Sequence, residues 1–74
     1  MVRTIRDLYL SFMLKPNNVI NKLTINGKKI LDENEDPVYA YELAEYLQEN
    51  YNMDQEISNV YIKTGDPEYD LDER

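Results

Sequence analysis

The sequence contains no cysteine, no histidine and no tryptophan, and it has only two glycines and three prolines among 74 residues. Without cysteine and histidine the chain cannot build a disulfide, a Cys/His zinc site or a Ser-His-Asp triad. A chain of this length buries only about 60% of the surface that its unfolded form exposes, which leaves little room for a pocket that shifts the pKa of a carboxylate. We therefore expect one small domain that is not an enzyme and that holds no cofactor or metal.

The chain also lacks a long apolar run. No segment approaches the roughly 18 consecutive apolar residues of a membrane span. Charged residues recur at Arg3, Arg6 and Asp7, where the apolar core of a secretory signal would lie. We expect a cytoplasmic protein without membrane contact.

Basic residues are scarce, with 8 against 15 acidic ones, for a net charge of −7. Their positions are uneven: residues 1–31 hold six basic and one acidic residue, whereas residues 32–74 hold fourteen acidic and two basic residues. Because affinity for nucleic acid comes from neutralising phosphates with Lys and Arg, we expect no direct nucleic-acid binding. Either the acidic half forms an interaction surface, or the basic half neutralises it across the fold.

The first predicted helix covers residues 4–14. Thr4 can cap its N-terminus, and Asp7 stands three residues later, in the spacing of a capping box. Pro16 ends the helix. Its apolar stripe follows the helical period and consists of Ile5, Leu8, Tyr9 and Phe12. Leu10 and Leu14 lie one turn apart on the opposite side, so either the rest of the fold covers them or they form a contact surface, such as the interface of a homodimer.

A β-hairpin is predicted over residues 19–31. Apolar and polar residues alternate before Asn26-Gly27, a pair that supplies the positive φ angles of a type I′ turn. A two-residue turn at this pair predicts that Leu23 faces Ile30 and that Thr24 faces Lys29.

The second predicted helix runs from Pro37 to about Asn50, with Asp36 as its cap. Its apolar face consists of Ala40, Leu43, Ala44, Leu47 and Tyr51. The opposite face carries Glu42, Glu45 and Glu49, flanked by Tyr39 and Tyr46.

A third strand is predicted around Ile57, Val60, Tyr61 and Ile62, at the edge of the sheet or between the other two strands. The order helix, strand, strand, helix, strand (αββαβ) indicates a small α+β domain over residues 1–65. Its two helices would cover one face of a three-stranded antiparallel sheet.

Residues 66–74 form a predicted acidic C-terminal tail. In an extended tail, Asp66, Glu68, Asp70 and Asp72 project from one side, about 6.6 Å apart. That spacing is close to two steps of the roughly 3.4 Å between charges along one DNA strand. The alternation also matches the start of a calcium loop, but Leu71 stands where such a loop needs glycine.

These charges and tyrosines predict a surface that binds a basic protein, one that normally holds a phosphate backbone. The partner-binding residues would be Glu42, Glu45, Glu49, Tyr39, Tyr46, Asp66, Glu68, Tyr69, Asp70 and Asp72. Carboxylates would pair with Arg and Lys, while tyrosines would give large contact area at low entropic cost. The alternative is a non-catalytic interaction or assembly module, which could form a homodimer through Leu10 and Leu14.

The opening Thr4-Ile5-Arg6-Asp7-Leu8, the hairpin and the acidic C-terminal part resemble small proteins of bacterial phages and mobile elements. In size and acidity the chain is similar to the anti-CRISPR and anti-restriction inhibitors, several of which imitate DNA. This is a resemblance of layout and acidity, without a shared residue motif. It implies a stoichiometric inhibitor that docks on a nuclease complex and blocks its nucleic-acid channel.

Overall fold

The computed structural model describes residues 2–64 and the backbone of residues 71–72. This part of the chain contains two helices and five strands, in the order α1 (Ile5–Leu14), β1 (Val19–Ile25), β2 (Lys28–Leu31), β3 (Val38–Tyr39), α2 (Ala40–Asn50), β4 (Val60–Thr64) and β5 (Leu71–Asp72). The predicted α+β class with two helices and an antiparallel sheet is confirmed.

Strand β1 is the centre of the sheet. It pairs antiparallel with β4 on one side, and β4 in turn pairs with β5. On its other side β1 pairs with β2 along residues 23–25 and with β3 along residues 19–20. The three predicted strands are thus β2, β1 and β4, and two strands of two residues each extend the sheet that they form.

The hairpin turn has the predicted backbone, since φ is 52° at Asn26 and 81° at Gly27. Thr24 pairs with Lys29 as expected, but Leu23 pairs with Leu31 instead of Ile30, because a bulge interrupts the register between Leu23 and Thr24. Without the bulge Leu31 would point away from the helices. The extra residue instead brings both leucines to the core side, where both are buried.

Helix α1 begins with the predicted capping box. The Thr4 hydroxyl accepts a hydrogen bond from the Asp7 N–H at 3.3 Å. The Asp7 carboxylate accepts from the backbone N–H groups of Thr4 at 3.1 Å and Arg3 at 3.0 Å. These bonds favour the charged carboxylate, and the one from Arg3 is the main cause that lowers the pKa of Asp7 from its usual 3.8.

Helix α2 begins at Ala40, so the predicted start at Pro37 with Asp36 as cap was wrong. Residues 38–39 are extended because they pair with Val19 and Ile20 of β1. The sheet pairing satisfies backbone groups that a longer helix would have used. Sequence propensity at Asp36-Pro37 was therefore overridden by a tertiary contact.

Each helix is capped by the segment that follows the other helix. The N–H groups of Ala40 and Tyr41 donate to the carbonyls of Asn18 at 2.8 Å and Pro16 at 3.1 Å, in the turn after α1. In the loop after α2, the carbonyls of residues 55 and 53 accept from Ile5 at 3.0 Å and Arg6 at 2.9 Å. The helices therefore run antiparallel and are joined at both ends, with first-turn donors satisfied by backbone carbonyls.

The core lies between the two helices and one face of the sheet. Its buried apolar residues are Ile5, Leu8, Phe12, Ile20, Leu23, Ile25, Leu31, Ala40, Leu43, Ala44, Leu47, Ile57, Val60 and Ile62. The predicted apolar stripes of both helices thus face inward. The alternate residues of β1 and β4, including Lys22, Tyr61 and Lys63, lie on the opposite sheet face, which no helix of the described chain covers.

Candidate protein-binding surface

The outward face of α2 carries an acidic stripe, which we define as Glu42, Glu45, Tyr46 and Glu49. These positions have the spacing i, i+3, i+4 and i+7, so they share one face of the helix. Leu43 and Leu47 hold the other face in the core. Glu45, Tyr46 and Glu49 are exposed and Glu42 is half-buried. The stripe is therefore a single surface, as the sequence predicted for its three glutamates.

The glutamates of the stripe form no ion pair with a described residue. In the described part of the chain the ion pairs are Arg6 with Asp54, Lys22 with Glu33, Lys63 with Glu33 and Lys29 with Asp32. Residues 32–62 contain no lysine or arginine, so no neighbour along the chain can compensate α2. The stripe thus presents three carboxylates to solvent without a partner among residues 2–64.

Two of these carboxylates, Glu45 and Glu49, work against the helix that bears them. The C-terminus of a helix is its negative end, and an acid there typically costs about 0.3–1 kcal/mol. Glu49 lies in the last turn of α2, which has no basic residue. Glu45 and Glu49 are also like charges at i and i+4, which costs about 0.2–0.5 kcal/mol. Helix stability therefore does not explain the positions of Glu45 and Glu49, whereas Glu42 lies in the first turn, where an acid stabilises a helix.

Tyr46 gives the stripe an aromatic member. Its side chain is 40% exposed, and its ring centroid lies 6.2 Å from that of Tyr51 at an angle of 58°. Both tyrosines line an open hollow of about 520 Å³ between α2 and the hairpin turn, together with Ile25, Asn26, Lys28, Asn50 and Gln55. An exposed tyrosine beside carboxylates can stack on a guanidinium that the carboxylates attract.

Tyr39, the other tyrosine predicted on this face, lies in β3 before the helix begins. It is 47% exposed and stacks on Tyr41, with ring centroids 5.7 Å apart and planes 11° apart. Tyr39 lines a smaller hollow of about 210 Å³ with Glu42 and Val19. It thus lies beside the first glutamate of the stripe, while Tyr46 lies among the later ones.

The predicted tail residues Asp66, Glu68, Tyr69 and Asp70 lie outside the described residues. For Asp72 the structure gives the backbone, which pairs with Tyr61 of β4. The candidate surface is therefore built from the members on α2 and β3. Assignment of the tail acids to the same surface stays a prediction.

The acidic loop, residues 32–36, is used differently from the stripe. The Glu33 carboxylate lies between Lys22 at 4.0 Å and Lys63 at 3.8 Å, and Asp32 lies 3.8 Å from Lys29. Glu35 accepts a hydrogen bond from the Asp32 N–H at 2.8 Å. Here the basic half does neutralise the acidic half, and only the three-dimensional structure shows which acids take part.

The described residues contain neither a metal-binding cluster nor a membrane-spanning helix. No group of three or more Asp, Glu, His or Cys side chains among them is arranged to hold a metal ion. Neither α1 nor α2 reaches the length and apolarity that a membrane crossing requires, and residues 2–64 and 71–72 hold no other helix.

Comparison of the chain with protein-family models, curated proteins and solved structures found no match.

Proposed function

We propose that this protein is a non-catalytic binding module that docks on the basic nucleic-acid-binding surface of an enzyme, such as a nuclease complex of a host defence system. The observation that carries the proposal is the acidic stripe, since its glutamates form no ion pair with a described residue and two of them, Glu45 and Glu49, disfavour their own helix. In the protein's biological setting we propose an inhibitor of the anti-CRISPR or anti-restriction type, encoded by a phage or mobile element and acting in the host cytoplasm.

The spacing of the stripe is compatible with imitation of a phosphate backbone. With a helical rise of about 1.5 Å per residue, Glu42 and Glu49 are about 10 Å apart along the axis, with Glu45 between them. Along one DNA strand, charges follow each other at about 3.4 Å, so the same length holds about four phosphates. The stripe thus places three charges where the nucleic acid places four, and Tyr46 adds contact area that a phosphate lacks.

Opposite charge should act mainly on the association rate. Uncompensated carboxylates attract a basic groove over about a Debye length, which is near 10 Å at 0.1 M salt. Arg and Lys in that groove would then pair with the glutamates, and Tyr46 would be desolvated against one of them. Binding of this kind weakens as salt rises and competes with the nucleic acid of the target.

The test compares two double variants that change the net charge equally. Glu45→Gln with Glu49→Gln removes two stripe charges, whereas Asp36→Asn with Glu56→Gln removes two exposed acids that have no ion pair within residues 2–64. Purified CRISPR nuclease complexes and restriction enzymes serve as partners, and association is measured by surface plasmon resonance at low and high salt, with DNA as competitor.

We expect the stripe variant to lose at least tenfold in association rate, and the control variant to lose less than twofold. Excess DNA should displace the unmodified protein. Equal losses of association rate for both variants would show that the partner responds to net charge and not to the positions of the glutamates. Binding that DNA does not disturb would contradict occupation of the nucleic-acid channel. Absence of binding to every enzyme in the panel would also count against the proposal.

A further inference from the structure

Large exposed apolar side chains are concentrated at one end of the molecule. Among the described residues seven such side chains are exposed, and six of them form what we call the apolar end: Leu10, Met13, Leu14, Val19, Tyr39 and Tyr41. The seventh is Tyr46 in the acidic stripe. Leu14 is 81% exposed and Leu10 is 55% exposed, so the rest of the described fold does not cover the second apolar side of α1.

The apolar end draws its residues from four elements that meet at the start of α2. Positions 10, 13 and 14 share one side of the last turns of α1, because their spacing is i, i+3 and i+4. Pro16, two residues after Leu14, accepts the N–H of Tyr41 at 3.1 Å. Tyr41 stacks on Tyr39, and Tyr39 pairs with Val19 across β1 and β3. The end of α1, the turn, the two strands and the start of α2 are therefore neighbours at this end of the molecule.

The scarcity of charged residues around the apolar end indicates which kind of partner fits it. Residues 8–31 contain no acid, and the segments that build the apolar end, 10–19 and 38–41, carry one charged residue, Lys15. A basic protein finds no carboxylate within these segments. Glu42, which lines a hollow with Tyr39 and Val19, is the acid at the border of the patch. Two copies of the chain, each with a net charge of −7, repel each other least through a surface with so few acids.

We propose that the apolar end is a self-association surface, and that a second copy of this chain docks on it in a two-fold homodimer. Two-fold pairing brings the same patch together from both copies, which is the commonest arrangement of soluble oligomers. Tyr, Met and Leu side chains supply the apolar centre that such interfaces have. The Tyr39 and Tyr41 rings are already stacked on each other, so little side-chain freedom is lost when they are covered.

The dimer uses side chains other than those of the acidic stripe and responds to salt in the opposite direction. Salt screens the repulsion between two acidic copies, so self-association should strengthen as salt rises. Docking of the stripe on a basic surface should weaken under the same change. The two proposals can thus fail separately, since one is measured without any other protein.

The experiment is sedimentation velocity of the full chain over a wide concentration range, at 50 mM and 500 mM NaCl. We expect a reversible monomer-dimer equilibrium that is tighter at the higher salt concentration. Leu14→Glu changes the most exposed side chain of the patch, with the least risk to folding, and it should weaken the dimer at least tenfold.

Tyr41→Glu and Tyr46→Glu form a matched pair. Both tyrosines are 40% exposed on the same helix, and both substitutions add one negative charge. We expect Tyr41→Glu to abolish the dimer and Tyr46→Glu to leave it within twofold, with helix content checked by circular dichroism. A chain that stays monomeric at every concentration and both salt levels would overturn the proposal. Equal loss from both variants would overturn it as well.

Discussion

The acidic loop and the acidic stripe have similar compositions and opposite relations to the fold. In the loop, Asp32 and Glu33 lie beside lysines of the sheet, and Glu35 accepts a backbone hydrogen bond. In the stripe, Glu45 and Glu49 lie beside each other on a helix without a cation. These loop acids therefore support the folded state, whereas Glu45 and Glu49 do not. The difference teaches that acids of similar sequence context can either stabilise the fold or bring it no benefit.

The largest expected effect concerns Asp7 and Thr4, because here an acid is placed where a helix needs one. Thr4→Ala removes the hydroxyl that caps α1 and should lower the free energy of unfolding by about 1 kcal/mol. Asp7→Asn should also destabilise the protein at pH 7, since the backbone bonds to its carboxylate favour the charged form. Urea unfolding followed by circular dichroism measures both changes.

The control for Asp7→Asn is the pH dependence of its stability. The pKa of Asp7 is lowered in the folded state, so its stabilising effect is present above the usual 3.8 and is lost as the pH falls through the folded value. The stability gap between the variant and the unmodified protein should therefore close below pH 3.8. A gap that stays constant from pH 7 to pH 2 would contradict a charged cap.

A smaller loss is expected for Glu33→Gln in the acidic loop. The variant leaves Lys22 and Lys63 as directly opposed like charges on neighbouring strands. Because both ion pairs are partly exposed, we expect a destabilisation of about 0.5 kcal/mol, which shrinks at 1 M salt. Asp36→Asn, in the same loop, is the control. Thermal unfolding that leaves the two variants equally stable would remove the distinction between loop and stripe.

The smallest effect has the opposite sign. Glu49→Gln relieves repulsion by Glu45 and the unfavourable interaction with the helix C-terminus, so it should stabilise the protein by about 0.3–0.5 kcal/mol. The measurement is again the free energy of unfolding in urea, at low salt. If Glu49→Gln destabilised the fold, the stripe would have a structural role that the structure does not reveal.

Features encoded by neighbouring residues could be predicted from the sequence. The capping box at Thr4 and Asp7 and the turn at Asn26-Gly27 depend on a few consecutive residues, and both were confirmed. The three glutamates of the stripe followed from the helical period alone, because the apolar positions of α2 define its opposite face.

Features that depend on distant partners could not be predicted. Strand β3 exists because Val38 and Tyr39 meet the start of β1, and this pairing delays the start of α2. The bulge at Leu23 allows Leu31 to be buried, and no local sequence pattern indicates this bulge. The stacking of Tyr39 on Tyr41 depends on the pairing of β3 with β1, because this pairing places Tyr39 in a strand instead of in the predicted helix.

The reciprocal capping of α1 and α2 has a consequence for how the outer face of α2 can change over time. The donors at the start of α2 bond to the main-chain carbonyls of Pro16 and Asn18, and no side chain caps this helix. A carbonyl is present whatever residue occupies the position, so the helix keeps its start while its outer residues are exchanged. The fold thus separates the backbone bonds that hold the start of α2 from the outer side chains, which can vary without loss of those bonds.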